Sequence, residues 1–428
     1  MHRSPRGAGA AKEARRRPPA RWWRGLRRVE ELLFGEVGPG LPRFCLERWQ
    51  SLHETSADVL LSESGGEPPK PDELLGYGVD LYEAAAGVDL GYGWTMGSPR
   101  LREAIGNVIY SGSVGPGQVV VTNGGAEANL LAVLATAKPG GVVVVDEPNY
   151  MQVRGLLEAR GARIVVARRR PPRWRLEPER LIDLVEALRP VAVYVTNPNN
   201  PTGAVERRLE ELAAAAARHG TVLVFDEVYR GLELRGGKTP SILESAASYG
   251  AAAVSTGSMS KTYSLPGLRI GWAAASSTRL AEKLWAAKDY TTIAASRLSE
   301  AVATLVLERA AEALERRTRT IARRNLRLLE EACGKSPLRV HRPEAGAFTL
   351  IQLPPGLDDL GVATTLYQGH GVLVVPASCM GAPGYIRVGL GAADEDRAAQ
   401  SYQLLCSLLR GLAGHREEEN TGELREDL

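Results

Sequence analysis

The chain has 428 residues, 44% of them hydrophobic and 24% charged, the balance of an ordinary globular protein with room for two or three domains. A net charge of +3 is too small to imply a polyanionic partner, and no apolar run reaches the roughly 18 residues of a membrane span, so neither nucleic acid nor membrane is expected. Six scattered histidines contain no H-E-x-x-H pair, which removes support for metal-dependent hydrolysis.

Residues 1–40 open with ten Lys/Arg against two Glu in the first thirty positions, interrupted by Pro18, Pro19, Trp22 and Trp23. They lack the long apolar segment of a secretory signal and are expected to form a basic, unstructured arm. From about residue 75 to 290, seven short apolar runs (119–122, 142–146, 163–166, 191–196, 222–226, 252–256 and 270–274) alternate with helical patterns. Strands separated by helices predict an α/β fold, a mostly parallel seven-stranded sheet sandwiched between helices. In such sheets ligands gather beyond the carboxyl ends of the strands. Residues 297–331 read as a long helix, with Leu314, Ile321 and Leu328 seven apart on one apolar stripe. Strand-like runs at 337–341, 347–353, 372–376 and 385–389, separated by Gly/Pro turns, predict a smaller α+β domain. The acidic stretch 413–428 is expected to be unstructured. Cys45, Cys333, Cys379 and Cys406 are far apart without paired spacing, which argues against disulfides or zinc and for a reducing cytoplasm.

Chemistry concentrates at Ser258-Met259-Ser260-Lys261 and the residues up to Gly271. The preceding apolar run has no helical period, so Lys261 is expected in a small-residue turn beyond a buried strand. An amine there loses solvent and has its pKa lowered, as Schiff-base chemistry with a carbonyl requires. Ser258 and Ser260 add hydroxyls and Arg269, between Gly267 and Gly271, a fixed cation; together they suit a phosphate. A lone S-x-S-K would read as a Ser/Gly loop with an exposed lysine. Residues 122–128 offer a second phosphate contact, because Gly124, Gly125 and Ala126 open a helix whose free N–H groups and dipole favour a dianion. Asp226 ends an apolar run ahead of Glu227, Val228 and Tyr229. A carboxylate there can hold a pyridine nitrogen protonated, or be a strand-end or helix-capping aspartate.

The run S-x-S-K-x-x-x-x-P-G-x-R-x-G, the D-E-x-Y of Asp226 and Tyr229, and the N-P-x-N-P-T-G of 197–203 together resemble the class I/II aminotransferases, the fold-type I pyridoxal-phosphate enzymes. The resemblance covers about residues 55–395. It implies pyridoxal 5'-phosphate on Lys261, with its phosphate near the backbone of Gly125 and Ala126, its ring nitrogen on Asp226 and its ring hydroxyl on Tyr229 and Asn200. It also implies Tyr150 against the ring, with Met151 standing where relatives commonly have proline, and Arg387 on the substrate α-carboxylate. Tyr92, ahead of Leu101-Arg102-Glu103-Ala104, is implied to reach the phosphate of the neighbouring subunit in a homodimer. The stretch 61–68 departs from the family's L-x-x-G-x-P-D-F loop and leaves Gly66 as the candidate close-approach glycine near the substrate. The implied division is an N-terminal part of the small domain at 41–74, a cofactor-binding large domain at 75–315, the C-terminal small domain at 316–412 and a tail.

The expected function is transfer of an amino group from an L-amino acid to a 2-oxo acid. The same residues serve lyases and cyclases of this fold. A pyridoxal-sensing regulator is the weaker alternative, because residues 1–40 are too short and too rich in proline and arginine for a helix-turn-helix domain. An acidic donor would need a second cation, and no motif-placed arginine remains beyond Arg269 and Arg387. Neutral or aromatic donors are therefore expected, read by the 62–68 loop and the Trp94 segment.

Overall fold

A computed structural model describes residues 33–38, 40–334 and 338–426. Most of the expected basic arm lies outside them, but its end is ordered: Leu33 is buried, and Glu36–Gly38 pairs antiparallel with Leu41–Pro42. Pro42 packs on Gly155 of the helix Gln152–Ala159, so burial of apolar side chains overrides the charged composition upstream.

Seven strands form the expected sheet, in the order Val119–Thr122, Gly271–Ala275, Ala253–Ser258, Val222–Asp226, Ala192–Thr196, Val142–Glu147 and Arg163–Arg168. Only Gly271–Ala275 runs antiparallel to its neighbours. Side chains alternate between two cores, as a pleated strand requires. Val144, Val193, Val195, Leu223 and Phe225 pack against Leu181, Leu212 and Ile242 from the helices Pro178–Leu188, Glu210–His219 and Ile242–Tyr249. Val143, Val145, Tyr194 and Val224 face the other way, onto Leu131 and Leu284 from Gly125–Thr136 and Thr278–Lys288. The five parallel strands from Arg163–Arg168 to Ala253–Ser258 thus bring their carboxyl ends to one rim.

A second core surrounds the four-stranded antiparallel sheet Arg339–Val340, Phe348–Gln352, Tyr385–Gly389 and Val375–Pro376. The helices Cys45–His53, Asp359–His370, Ala311–Cys333 and Glu395–Glu426 pack into it, so both ends of the chain build one unit. The long helix expected at 297–331 is present as Arg297–Leu305 and Ala311–Cys333, joined through a π-helical turn at Val306–Ala310.

Two expectations are corrected. All four cysteines are paired, Cys45 with Cys379 and Cys333 with Cys406, each pair with its Cα atoms 5.2 Å apart. Their partners lie 334 and 73 residues away, a separation that linear spacing does not reveal, and the pairing withdraws the cysteine argument for a reducing cytoplasm. The last helix continues to Glu426 where composition predicts an unstructured tail, since Glu, Leu and Arg extend an existing helix without a new nucleation cost. Among the described residues no helix is long and apolar enough to cross a membrane.

Candidate active site

The rim of the sheet carries a cradle built from three approaching segments. Gly124 has φ +81°, and a Cβ there would lie 2.4 Å from Arg269 Nη2; a Cβ on Gly271 would fall 2.5 Å from the Gly124 carbonyl carbon. Only glycine lets the guanidinium and the strand close over the helix entry in this way. Gly125 and Ala126 begin the helix Gly125–Thr136, whose first amides have no partner one turn back. Ser258 packs beside Gly125 and its Oγ accepts from the Ser260 amide over 3.2 Å. Arg269, itself left-handed at φ 51°, remains exposed on the open side. Amides, a hydroxyl and a guanidinium around one space fit a phosphate group.

Lys261 follows the strand Ala253–Ser258 and keeps part of its surface open to the cleft. Burial lowers its pKa from the ordinary lysine range; Glu63 opposes this, Arg387 adds to it, and Glu47 and Arg269 act more weakly in the same two senses. Asp226 ends the strand Val222–Asp226. Burial raises its pKa, while donation from Asn129 Nδ2 at 2.9 Å and from the Val228 amide at 3.1 Å pulls it back down. Asn129 is in turn fixed by Thr256 Oγ1, which donates to its carbonyl oxygen over 2.7 Å.

Asn200, Tyr229 and Arg387 meet in one hydrogen-bonded chain. Arg387 Nη1 donates to Asn200 Oδ1 over 3.0 Å, Asn200 Nδ2 donates to Tyr229 Oη over 3.2 Å, and Tyr229 Oη donates to Ser64 Oγ over 3.1 Å. Arg387 is 1% exposed, yet its Nε has no partner. An uncompensated donor on a buried guanidinium is costly unless a ligand completes it. Burial moves the Tyr229 hydroxyl up to about 12, so it remains a donor at neutral pH.

Tyr150, Asn129 and Asp226 line a common cavity, and the Tyr150 hydroxyl donates to Glu47 Oε1 over 2.5 Å. Gly66 does not face the lysine: a Cβ there would strike Ser264 Oγ at 2.4 Å and Thr318 at 2.9 Å. The neighbouring Gly65 lies over the lysine instead, with its Cβ position 3.4 Å from the Ser260 carbonyl oxygen and 3.5 Å from Lys261 Cδ. Tyr92 stands 88% exposed on the surface.

Sequence reasoning missed Asn129 and Glu47, and named the 62–68 loop without singling out Glu63 or Ser64 in it. Asn129 left a signal, as a polar residue beside Ala128 and Leu131 on a buried helix face. It also missed a buried network behind the 197–203 turn, where Arg169 pairs with Asp146 and Glu206 at 2.8 Å each and Asn199 Nδ2 donates to Asp146 Oδ2 over 3.1 Å. Asp146 holds Asn199, and Asn199 Oδ1 accepts from Thr202, so the network braces the turn that carries Asn200.

Comparison with known proteins agrees with this geometry. The family of class I and II aminotransferases matches residues 77–400. The chain is 32% identical over 404 residues to a capreomycidine synthase of Streptomyces vinaceus, covering 90% of this chain and 97% of the relative. It is 32% identical over 316 residues to an arginine–pyruvate transaminase of Pseudomonas aeruginosa, covering 71% and 78%. A solved pyridoxal-phosphate-dependent aminotransferase of Streptococcus suis is similar with a TM-score of 0.79 at 32% identity, over 86% of this chain and 98% of that one. Because the matched region spans the cradle, the strand-end lysine and Arg387 alike, the chain belongs to the class I and II aminotransferases, enzymes that move an amino group to a 2-oxo acid with pyridoxal phosphate.

Proposed function

We propose that the chain is a homodimeric aminotransferase in which Lys261 holds the cofactor and moves the substrate proton, working between a large domain at 75–315 and a small domain made of 41–74 and 316–412. The observation that carries this reading is the convergence of Lys261, Asp226 and the half-satisfied Arg387 beside the phosphate cradle. Pyridoxal phosphate, when bound, supplies an aldehyde carbon and a ring that stabilises negative charge at the substrate α-carbon.

The protein's own part divides among the site residues. Arg269, Ser258, Ser260 and the amides of Gly125 and Ala126 would hold the phosphate. Asp226, oriented by Asn129, would keep the ring nitrogen protonated; Tyr229 and Asn200 would serve the ring hydroxyl, and Tyr150 the ring face. Arg387 orients the substrate through its α-carboxylate, for which a planar fork is better suited than an ammonium. Lys261, its amine made easier to deprotonate by burial, takes the proton from the α-carbon and returns it as an acid.

A dimer formed through the Tyr92 segment would cover the exposed side chains of Leu90, Tyr92 and Trp94, which follow one another closely in the chain. Tyr92 would then complete the partner's phosphate site. The test is to incubate the purified holoprotein with a panel of L-amino acids and a 2-oxo acid, and to measure both new products. Equal amounts of the donor's 2-oxo acid and the acceptor's amino acid are expected. Ammonia with a 2-oxo acid in the absence of any acceptor would overturn the reading in favour of a lyase.

A further inference from the structure

We infer that the amino donor carries a cationic side chain, a guanidinium or an ammonium, read by the carboxylates of Glu63 and Glu47 at the mouth of the site. This rests on the aminotransferase reading above and names its substrate class.

The segment carrying Glu63 is part of the site wall. The Ser62 carbonyl accepts from Arg387 Nη2 over 2.6 Å, Ser64 Oγ accepts from Tyr229 Oη over 3.1 Å, and Gly65 covers Lys261. Ser62 and Ser64 are buried while Glu63 between them is exposed, so its carboxylate is left on the open side of that wall. Glu47 reaches the site from the helix Cys45–His53 and holds the Tyr150 hydroxyl with Oε1. Its helix is fixed there by the Cys45–Cys379 disulfide, next to Met380, whose Sδ lies 3.8 Å from Arg387 Nη1. Among the described residues neither glutamate forms a salt bridge, and Glu47 gives Oε1 to the neutral Tyr150 hydroxyl. Both act on Lys261 and on Arg387, and together they raise the pKa of Glu54 at the end of the same helix, beyond what its burial does.

Counting charges with every ligand in place decides the donor class. Arg269 is matched by the phosphate, Asp226 by the protonated ring nitrogen and Arg387 by the α-carboxylate. With Lys261 neutral, as the proton acceptor must be, Glu63 and Glu47 are left without a counter-charge. An independent sign that a ligand belongs on this wall is that Ser62 Oγ and Arg387 Nε are both buried and both lack partners. A neutral donor would leave two carboxylates uncompensated as water is displaced, and an acidic donor would add another negative charge. A cationic side chain neutralises them. The neutral or aromatic donor expected from sequence follows from motif-placed arginines alone and takes no account of carboxylates that no motif contains.

L-Citrulline, the neutral isostere of L-arginine, isolates the charge. With a 2-oxo acid acceptor, L-arginine or L-lysine should exceed L-citrulline and L-leucine in kcat/KM by about 100-fold or more, and Glu63→Gln should cut that ratio by about 10-fold, whatever change it makes to all donors in common through Lys261. Calorimetry on the holoenzyme supplies a readout without turnover: 5-guanidinopentanoate, which has no amine to react, should bind about 10-fold tighter than heptanoate, and less so after Glu63→Gln. Amino transfer from neutral donors at equal or higher efficiency, or a preference untouched by Glu63→Gln and by Glu63→Gln with Glu47→Gln, would overturn the inference and leave transamination standing. A guanidino preference in binding with no transfer from any donor would do the reverse.

Discussion

The side-chain amide of Asn129 donates to Asp226 Oδ2 over 2.9 Å, tying the helix that opens the phosphate cradle to the strand-end carboxylate. That bond favours the ionised carboxylate against the burial that disfavours it. Asn129→Ala should therefore raise the Asp226 pKa further and move the acid limb of the kcat–pH profile upward, with a loss of about 10-fold at neutral pH. Asp226→Asn should retain cofactor but lose about 10²-fold or more in kcat, because an amide cannot hold the ring nitrogen charged. A folded Asp226→Asn enzyme with near-normal turnover would remove the role.

Borohydride reduction followed by peptide mapping should find the cofactor on Lys261. The instructive rival is Lys288, fully buried and likewise lowered in pKa by burial. Its Nζ donates to the Thr95 carbonyl over 2.6 Å, so it anchors the 92–97 segment and has no open face. Label on Lys288 or on Lys283 would contradict the assignment.

What could be read from the sequence was what local backbone rules write down. The turns that display Lys261, Asn200 and the amides of Gly125 need glycine, proline and small residues at fixed offsets, so their motifs survive in one dimension. Short apolar runs alternating with helical patterns likewise announced the sheet. Glu47 and the two cysteine pairs meet the site or each other only through tertiary approach of distant segments, and nothing near them in sequence marks that contact; Glu63 lay in a loop the sequence did mark, but its own role there was not legible. The choice between Gly65 and Gly66 has the same origin: a Cβ would clash only at Gly66, against Ser264 and Thr318, and only the fold shows that Gly65 is the one beside the lysine.

Mixing Lys261→Ala subunits with Tyr92→Phe subunits should rescue activity. A hybrid dimer has one site with an intact lysine and the partner's intact Tyr92, so random reassortment should recover about one quarter of wild-type activity. Absence of recovery after verified subunit exchange, or a fully active monomer by light scattering, would rule out a shared site.

His53 links acid stability to the second core. Burial against Trp49 and Tyr367, whose rings lie 4.5 and 4.2 Å from it, lowers its pKa to about 4 from an ordinary 6.5. Between these values the unfolded chain binds the proton and the folded chain does not, so stability should fall as pH drops from 6.5 towards 4. The part due to His53 is about 1–3 kcal/mol, allowing for its partial exposure. Urea unfolding of wild type and His53→Gln at pH 7 and 4.5 checks this; equal pH dependence in both would refute it.

Arg387 offers the sharpest separation of shared from selective recognition. All amino acid donors present an α-carboxylate, and Arg387 has its Nη groups committed to Asn200 and Ser62 while Nε is free. Arg387→Lys keeps the charge but removes the planar fork, and with it the bonds that hold Asn200 and the 62–65 wall in place. Binding of every donor should weaken together, by about 2–4 kcal/mol or on the order of 30- to 1000-fold in kcat/KM, because a buried charge pair loses its second contact. Cofactor affinity, which depends on Arg269 and the helix amides, should change little. The ratio between cationic and neutral donors should change less than this common loss, since the ratio belongs to Glu63 and Glu47 and Arg387 reaches that wall only through the Ser62 carbonyl. Steady-state kinetics over arginine, lysine, citrulline and leucine distinguishes the two: a loss shared by all four fits a carboxylate anchor, whereas one donor left untouched would mean that donors dock by different carboxylate contacts.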